Sequence, residues 1–187
     1  AAGVAADQPI WDPFCGAGTV LIEAHRRTTG APGRTGDFPF ERWPTHDGKA
    51  WRAFREGIER PPVPSVTHFG ADRDEDALAA ARHNLKHSRL DRWVELFHGD
   101  FEPGVKAVPR GAAVITNPPY GRGTKGGRVL DEALGRFGRL LASRSDLNPV
   151  VVLDGTERLE SLTGLAWTEL TSFSNRGIPV RMLALKR

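Results

Sequence analysis

The sequence has 187 residues, of which 39% are apolar and 26% are charged, values that are ordinary for a soluble globular protein. The net charge of +3 (26 − 23) is compatible with a nucleic-acid partner but does not establish one. Neither a membrane-spanning apolar run nor a secretory signal is found. The single cysteine, Cys15, excludes an internal disulfide framework, argues against a zinc cluster and favours a reducing, cytoplasmic compartment.

The chain begins with Ala1 rather than methionine, and a predicted strand follows at residue 9. We therefore expect either a piece of a longer protein or a processed start, and the sequence does not decide between them. The length predicts one domain over residues 1–187, with an inserted segment at about 29–65.

Apolar periodicity predicts strands and helices that alternate along the chain. The predicted strands cover residues 9–12, 66–71, 94–97, 112–116, 150–153, 167–174 and 178–185. The predicted helices cover residues 19–27, 48–60, 74–86, 129–143 and 157–162, and Asp74 is expected to cap the third of them. This order predicts an α/β protein with a doubly wound, mostly parallel sheet and a C-terminal antiparallel hairpin.

The segment 29–47 interrupts this alternation and is rich in glycine, proline and aromatic residues. Because Phe38, Phe40 and Trp43 are large and apolar, we expect them to be buried. The segment is therefore predicted to be an ordered insertion rather than a flexible linker.

The first two turns at the carboxyl edge of the predicted sheet carry residues that suit a ligand. In DPFCGAGT, Gly16 and Gly18 let the backbone approach a ligand, and the following helix adds free N–H groups. A dinucleotide fingerprint would have a third glycine where Leu21 stands, so a pyrophosphate site of that type is disfavoured. In GADRD, Asp72 is placed to accept hydrogen bonds from ribose hydroxyls. The alternative for DPFCGAGT is a tight turn without a ligand, and the alternative for Asp72 is a solvated loop carboxylate.

The next two turns are HGDF and TNPPYG. Asp100 is suited to accept from an adenine amino group, with Phe101 beside the ring. The two prolines stiffen the fourth turn, so Asn117 and the Pro118 carbonyl are suited to accept two bonds from an exocyclic amine, while Tyr120 stacks on a flat base. The alternative for Asp100 is a loop carboxylate without a ligand, and the alternative for NPPY is a proline-stiffened loop with a buried tyrosine.

These four stretches, in this order, resemble motifs I to IV of class I S-adenosylmethionine-dependent methyltransferases. More narrowly, DPFCGAGTVLIEA followed by NPPYG is similar to the RNA guanine-N2 methyltransferases, whose members often carry an RNA-binding THUMP domain. The stretch APGRTGDFPFERWPTHDGKAW resembles the insertion of the large-subunit ribosomal RNA members, and SNRGIPVRMLAL resembles their last hairpin. The helix that usually precedes the first strand is reduced to AAGVAA, and the sequence contains no THUMP-like domain.

The resemblance implies a Rossmann-like methyltransferase fold, S-adenosyl-L-methionine as cofactor and RNA as partner, with 23S ribosomal RNA favoured over transfer RNA as the methylated molecule. It implies that the cofactor is bound by Asp12, Pro13, Cys15, Gly16, Gly18, Asp72, Arg73, Asp100, Phe101 and Asn117. It implies that the catalytic segment consists of Asn117, Pro118, Pro119 and Tyr120. Cys15 is expected to be a packed residue rather than a nucleophile, because no activating base is adjacent.

Two other functions stay open from the sequence. One is an amino methyltransferase acting on DNA adenine or on protein glutamine, because such enzymes also use NPPY. The other is a non-catalytic RNA-binding domain that keeps the fold. The basic, glycine-rich loop 121–128 is expected either to close over RNA phosphates or to be a solvated loop, and no membrane partner is expected.

Overall fold

The computed structural model describes residues 3–29, 38–58, 66–120 and 127–187, in which strands and helices alternate as predicted. The strands are β1 Ile10–Asp12, β2 His68–Asp72, β3 Val94–His98, β4 Ala113–Thr116, β5 Val150–Asp154, β6 Trp167–Asn175 and β7 Ile178–Leu185. The helices are α1 Thr19–Thr29, α2 Gly48–Glu56, α3 Glu75–His87, α4 Phe101–Gly104, α5 Gly127–Ser143 and α6 Leu159–Thr163, with 3-10 turns at Pro39–Arg42 and Asp91–Trp93. The single-turn helix α4 was not predicted, because four residues are too few to show a helical period.

The strands form one sheet in the order β3-β2-β1-β4-β5-β7-β6. β1 pairs in parallel with β2 and β4, and the outer pairs β2–β3 and β4–β5 are also parallel. β7 is antiparallel to both β5 and β6. The predicted doubly wound, mostly parallel sheet with its C-terminal hairpin is confirmed, and the strand order reverses between β1 and β4, where ligands bind in such sheets.

Apolar side chains cover both faces of the sheet. On one face, Trp11 of β1 meets Phe137 of α5 edge to face, with 6.4 Å between ring centroids. On the other face, Ile10 packs with Leu21 of α1 and Leu78 of α3. Because successive strand residues point to opposite faces, β1 is buried along its whole length and fixes the turn that follows it.

The described part of the insertion, residues 38–58, forms an aromatic cluster at the surface. The rings of Phe40 and Trp51 lie 5.0 Å apart, and Phe38 contacts both. No residue of this stretch is buried, and Trp43 is 63% exposed. The prediction that Phe38, Phe40 and Trp43 are buried is therefore wrong: the rings shield one another in part without joining the core of the sheet.

Two further sequence predictions concern surface segments. Most of the predicted basic loop, residues 121–126, lies outside the described residues. Among the helices that the structure describes, none combines the length and apolar character needed to cross a bilayer.

Candidate active site

A cavity of about 510 Å³ opens at the carboxyl edge of the sheet, near the strand-order reversal. Its volume lies within the range of small-molecule sites. The residues proposed from the sequence that line it are Pro13, Gly16, Asp72, Arg73, Asp100, Phe101, Asn117 and Pro119. Four turns that are far apart in the sequence thus contribute to one cavity.

The glycines of the first turn have different surroundings. Gly16 and Gly18 have φ of +50° and +80°, a left-handed conformation that favours glycine. A Cβ on Gly16 would meet no atom within 4 Å, so its backbone borders open space in the cavity. A Cβ on Gly18 would lie 3.4 Å from the Ala81 side chain, so Gly18 serves the packing of the turn against α3 and does not line the cavity.

The carboxylate of Asp72, at the end of β2, connects the first turn to the second. One of its oxygens accepts a hydrogen bond from the Gly16 N–H at 2.8 Å, and the other accepts from the Asp74 N–H at 3.0 Å. Asp74 caps α3 as predicted, accepting from the N–H groups of Asp76 and Ala77. Each Asp72 oxygen keeps a further lone pair, and the residue lines the cavity.

Asp12 lies below the cavity rather than in its wall. Its side chain is 1% exposed, and its Oδ1 accepts from the Thr116 hydroxyl at 2.6 Å and from the Phe14 N–H at 3.2 Å. Burial raises the pKa of Asp12 to about 7, against the opposing effect of these hydrogen bonds, and the nearby Asp72 charge adds to the rise. Asp12 therefore links the first turn to the strand that leads to Asn117, and its role in cofactor binding stays a prediction.

Cys15 contributes its backbone and not its side chain to this region. Its N–H donates to the Ala71 carbonyl at 2.9 Å, and its side chain is buried in the core beside Leu21. Burial raises the pKa of the Cys15 thiol, and the nearby Asp12 charge raises it further by a smaller amount. The thiol does not line the cavity, which agrees with the expected packed side chain, and the cofactor-binding role that the resemblance implies for Cys15 stays a prediction.

The third turn forms one wall of the cavity. Phe101 is 1% exposed and meets Phe14 edge to face at 5.6 Å between centroids, so little of its ring is accessible from the cavity. Asp100 accepts a hydrogen bond from the Arg136 guanidinium at 2.7 Å and still lines the cavity with its partly exposed carboxylate. The sequence does not predict this role of Arg136, because Arg136 lies on α5, 36 positions from Asp100, and no sequence pattern pairs the two residues.

The fourth turn leaves β4 with its residues on different sides. Asn117 and Pro119 are exposed and line the cavity, whereas Pro118 is buried. Tyr120 is partly buried and does not belong to the cavity wall. Of the four proposed catalytic residues, two therefore line the cavity, Pro118 is buried and Tyr120 is partly exposed outside the cavity wall.

Apolar residues that were not proposed as site residues also line the cavity. Phe14 comes from the first turn, and Val129, Leu130 and Ala133 come from the first turns of α5. Leu130 belongs to an apolar stripe that sequence periodicity finds, but the stripe alone does not separate core positions from cavity positions.

The chemistry of this lining fits an adenosyl cofactor. Carboxylates at two strand ends, Asp72 and Asp100, are acceptors for the hydroxyl and amino groups of a nucleoside. Phe101 and Leu130 add apolar side chains to the lining, and the backbone at Gly16 borders open space.

A family model described as an RMKL-like methyltransferase domain matches residues 1–182. The chain belongs to this family. Membership of this methyltransferase family implies S-adenosylmethionine as the cofactor, in agreement with the lining of the cavity.

Similar proteins come from several bacteria. The ribosomal RNA large subunit methyltransferase K/L of Chromohalobacter salexigens is 29% identical over 95% of this chain and 26% of its own length. The protein of the same name from Hahella chejuensis is 35% identical over 59% of this chain and 17% of its own length. The crystal structure of SMU.472 complexed with SAH superposes with a TM-score of 0.85 at 25% identity, covering 97% of this chain and 48% of that one. The chain spans about half or less of the length of the curated relatives it matches.

Proposed function

We propose that this chain is the catalytic domain of a methyltransferase that transfers a methyl group from S-adenosylmethionine to the exocyclic N2 amine of a guanine in RNA, with 23S ribosomal RNA favoured over transfer RNA. The observation that carries the proposal is the convergence of Gly16, Asp72, Asp100 and Asn117 on one cavity. The names of the curated relatives, which are ribosomal RNA methyltransferases, support RNA as the substrate class.

The cofactor half of the site is assigned to the first three turns. Asp72 accepts from the ribose hydroxyls and Asp100 from the adenine amino group, while Phe101 and Pro13 supply apolar contacts. Arg73 borders the same space. When bound, S-adenosylmethionine supplies an electrophilic methyl group on a sulfonium.

The target half of the site is assigned to Asn117 and Pro118. The lone pair of an exocyclic amine is delocalised into its ring, so the amine is a poor nucleophile. Two acceptors, the Asn117 side-chain oxygen and the Pro118 carbonyl, favour a pyramidal nitrogen whose lone pair points along one direction. The same oxygens stabilise the positive charge that develops on nitrogen, and the proton leaves late to water. Pro119 removes backbone freedom between the acceptors and Tyr120.

Tyr120 is assigned to stack on the target base. A base in a duplex does not reach an enclosed site, so the target is unpaired or turned out of its helix. A partly exposed aromatic ring beside the cavity is suited to receive such a base.

The test is transfer of labelled methyl from S-adenosylmethionine to ribosomal RNA, transfer RNA, DNA and protein, followed by mass spectrometry of the nucleosides. We expect label in RNA as N2-methylguanosine, and labelling of DNA alone would overturn the proposal.

Replacing Asn117 by alanine is expected to lower kcat about 100-fold or more, since one stabilising group of the transition state is lost. Calorimetry with S-adenosylmethionine should show nearly unchanged affinity. Asn117→Asp, which keeps an acceptor oxygen, should retain more activity than Asn117→Ala. Normal turnover of the alanine variant would refute the role of Asn117.

A further inference from the structure

The side chain of Tyr120 is held from two sides by residues that belong to neither the cavity nor the NPPY segment. Its hydroxyl oxygen accepts a hydrogen bond from the Asn175 side-chain amide at 3.1 Å. Its ring lies against Gly155, which directly follows β5. These contacts join three parts of the chain that are distant in sequence.

Position 155 needs a glycine because there is no room for a side chain, and not because of its backbone conformation. A Cβ on Gly155 would overlap the Tyr120 ring, whereas the φ of Gly155 is not in the left-handed region. Any side chain at position 155 would therefore displace the ring or the loop. The absence of a side chain at Gly155 leaves the space that the Tyr120 ring occupies.

The loop that contains Gly155 is itself fixed by a buried charge. Asp154 is 3% exposed and accepts from the Arg181 guanidinium at 2.7 Å with one oxygen, and from Thr156 with the other. Arg181 of β7 also donates to Glu160, and these bonds raise the pKa of its guanidinium. Asp154 and Arg181 are paired across β5 and β7, so the position of Gly155 is tied to the register of the hairpin.

We propose that the C-terminal hairpin, β6 and β7, sets the orientation of Tyr120 toward the target base, with Asn175 and Gly155 as positioning residues. The proposal rests on the function proposed above, in which Tyr120 receives the base. Asn175 acts directly through the hydroxyl, and Arg181 acts through Asp154 and the Gly155 loop. A ring held in one orientation loses less conformational entropy when a base stacks on it than a ring that turns freely.

The proposal is tested by a double-mutant cycle of Asn175→Ala and Tyr120→Phe in RNA methylation. Each single variant is expected to lower kcat/KM for RNA about fivefold, the effect of one neutral hydrogen bond, and the double variant to lower it no further. Affinity for S-adenosylmethionine should be unchanged. Asn175→Asp, whose carboxylate accepts from the tyrosine hydroxyl, should restore activity with Tyr120 but not with phenylalanine at that position.

Ser174→Ala, one residue earlier on β6, is the matched control and should leave kcat/KM unchanged. Independent losses in the cycle, or a lower melting temperature with unchanged kcat/KM, would overturn the positioning role.

A second measurement does not depend on turnover. Tyr120 is the single tyrosine of the 187 residues, so protein labelled at tyrosine gives one set of ring signals in NMR. Asn175→Ala and Gly155→Ala should shift these signals, and Ser174→Ala should not. If the signals shift as expected but no RNA is methylated by the wild type, the proposed function fails. If RNA is methylated but the signals do not respond, the hairpin proposal alone fails.

Discussion

Replacing the buried Asp12 by asparagine is expected to stabilise the domain increasingly as the pH rises. The Asp12 carboxyl group is 1% exposed, and the groups that donate hydrogen bonds to it are the Thr116 hydroxyl and the Phe14 N–H, neither of which carries a charge. Asparagine keeps an oxygen that can accept from Thr116 and from the Phe14 N–H. It removes the charge that burial penalises.

The magnitude follows from the pKa of Asp12, which burial raises from 3.8 to about 7. The folded state therefore binds the proton more tightly than the unfolded state. Its contribution to stability is fully present below the unfolded value of 3.8 and is lost as the pH rises through about 7. At about 1.36 kcal/mol per unit the whole loss is roughly 4 kcal/mol, of which roughly 2.5 kcal/mol falls between about pH 5 and about pH 8.

Urea denaturation of the wild type and of Asp12→Asn at these two pH values measures the effect. The difference in the free energy of unfolding should grow by roughly 2.5 kcal/mol in favour of asparagine, whatever its value at pH 5. The comparison at two pH values removes any constant cost of placing the asparagine amide.

Asp146→Asn serves as the control. Hydrogen bonds from Arg144 lower the pKa of Asp146 to about 2, so its contribution is already complete by pH 5 and the effect of this variant should be the same at both values. A difference for Asp12→Asn that is equally constant would refute the reasoning.

Two further predictions concern other buried positions. A Cβ on Gly138 of α5 would overlap the Thr163 carbonyl, so Gly138→Ala should lower the free energy of unfolding by about 1–3 kcal/mol. Gly135→Ala on the same helix, with its nearest atom at 3.5 Å, should be neutral or stabilising by up to about 1 kcal/mol, and equal effects in urea denaturation would contradict the packing argument. Burial lowers the pKa of His68 from 6.5 to about 4, so stability present above 6.5 is lost as the pH falls through about 4. Between pH 7 and pH 5 the wild type should lose about 2 kcal/mol of unfolding free energy relative to His68→Asn, whose side-chain oxygen can accept from the Ile10 N–H. Equal pH dependence of the unfolding free energy in the two proteins would contradict this.

The sequence alone determined the local features of this protein. Strand and helix periods, the cap at Asp74 and the turn at residues 175–177 depend on neighbours within a few residues, so they are visible in the pattern. The four motif turns were placed at one edge because parallel strands joined by helices bring their carboxyl ends together, and Gly16 and Asn117 do line the same cavity.

The tertiary structure decided which side chains reach that cavity. Asp12 and Cys15 stand in the same motif as Gly16, yet the pleat and the turn direct them into the core. The aromatic residues of the insertion were expected in a core because of their size, but burial depends on which surface is offered by the rest of the fold.

The contacts that fix Asp100 and Tyr120 also come from the tertiary structure. Arg136 lies 36 positions from Asp100, and Asn175 lies 55 positions from Tyr120. No period in the sequence links residues so far apart, since their meeting depends on how α5 and the hairpin pack on the sheet. The local sequence thus specified the turns, their chemistry and the cap at Asp74, and long-range packing gave Asp100 and Tyr120 their partners.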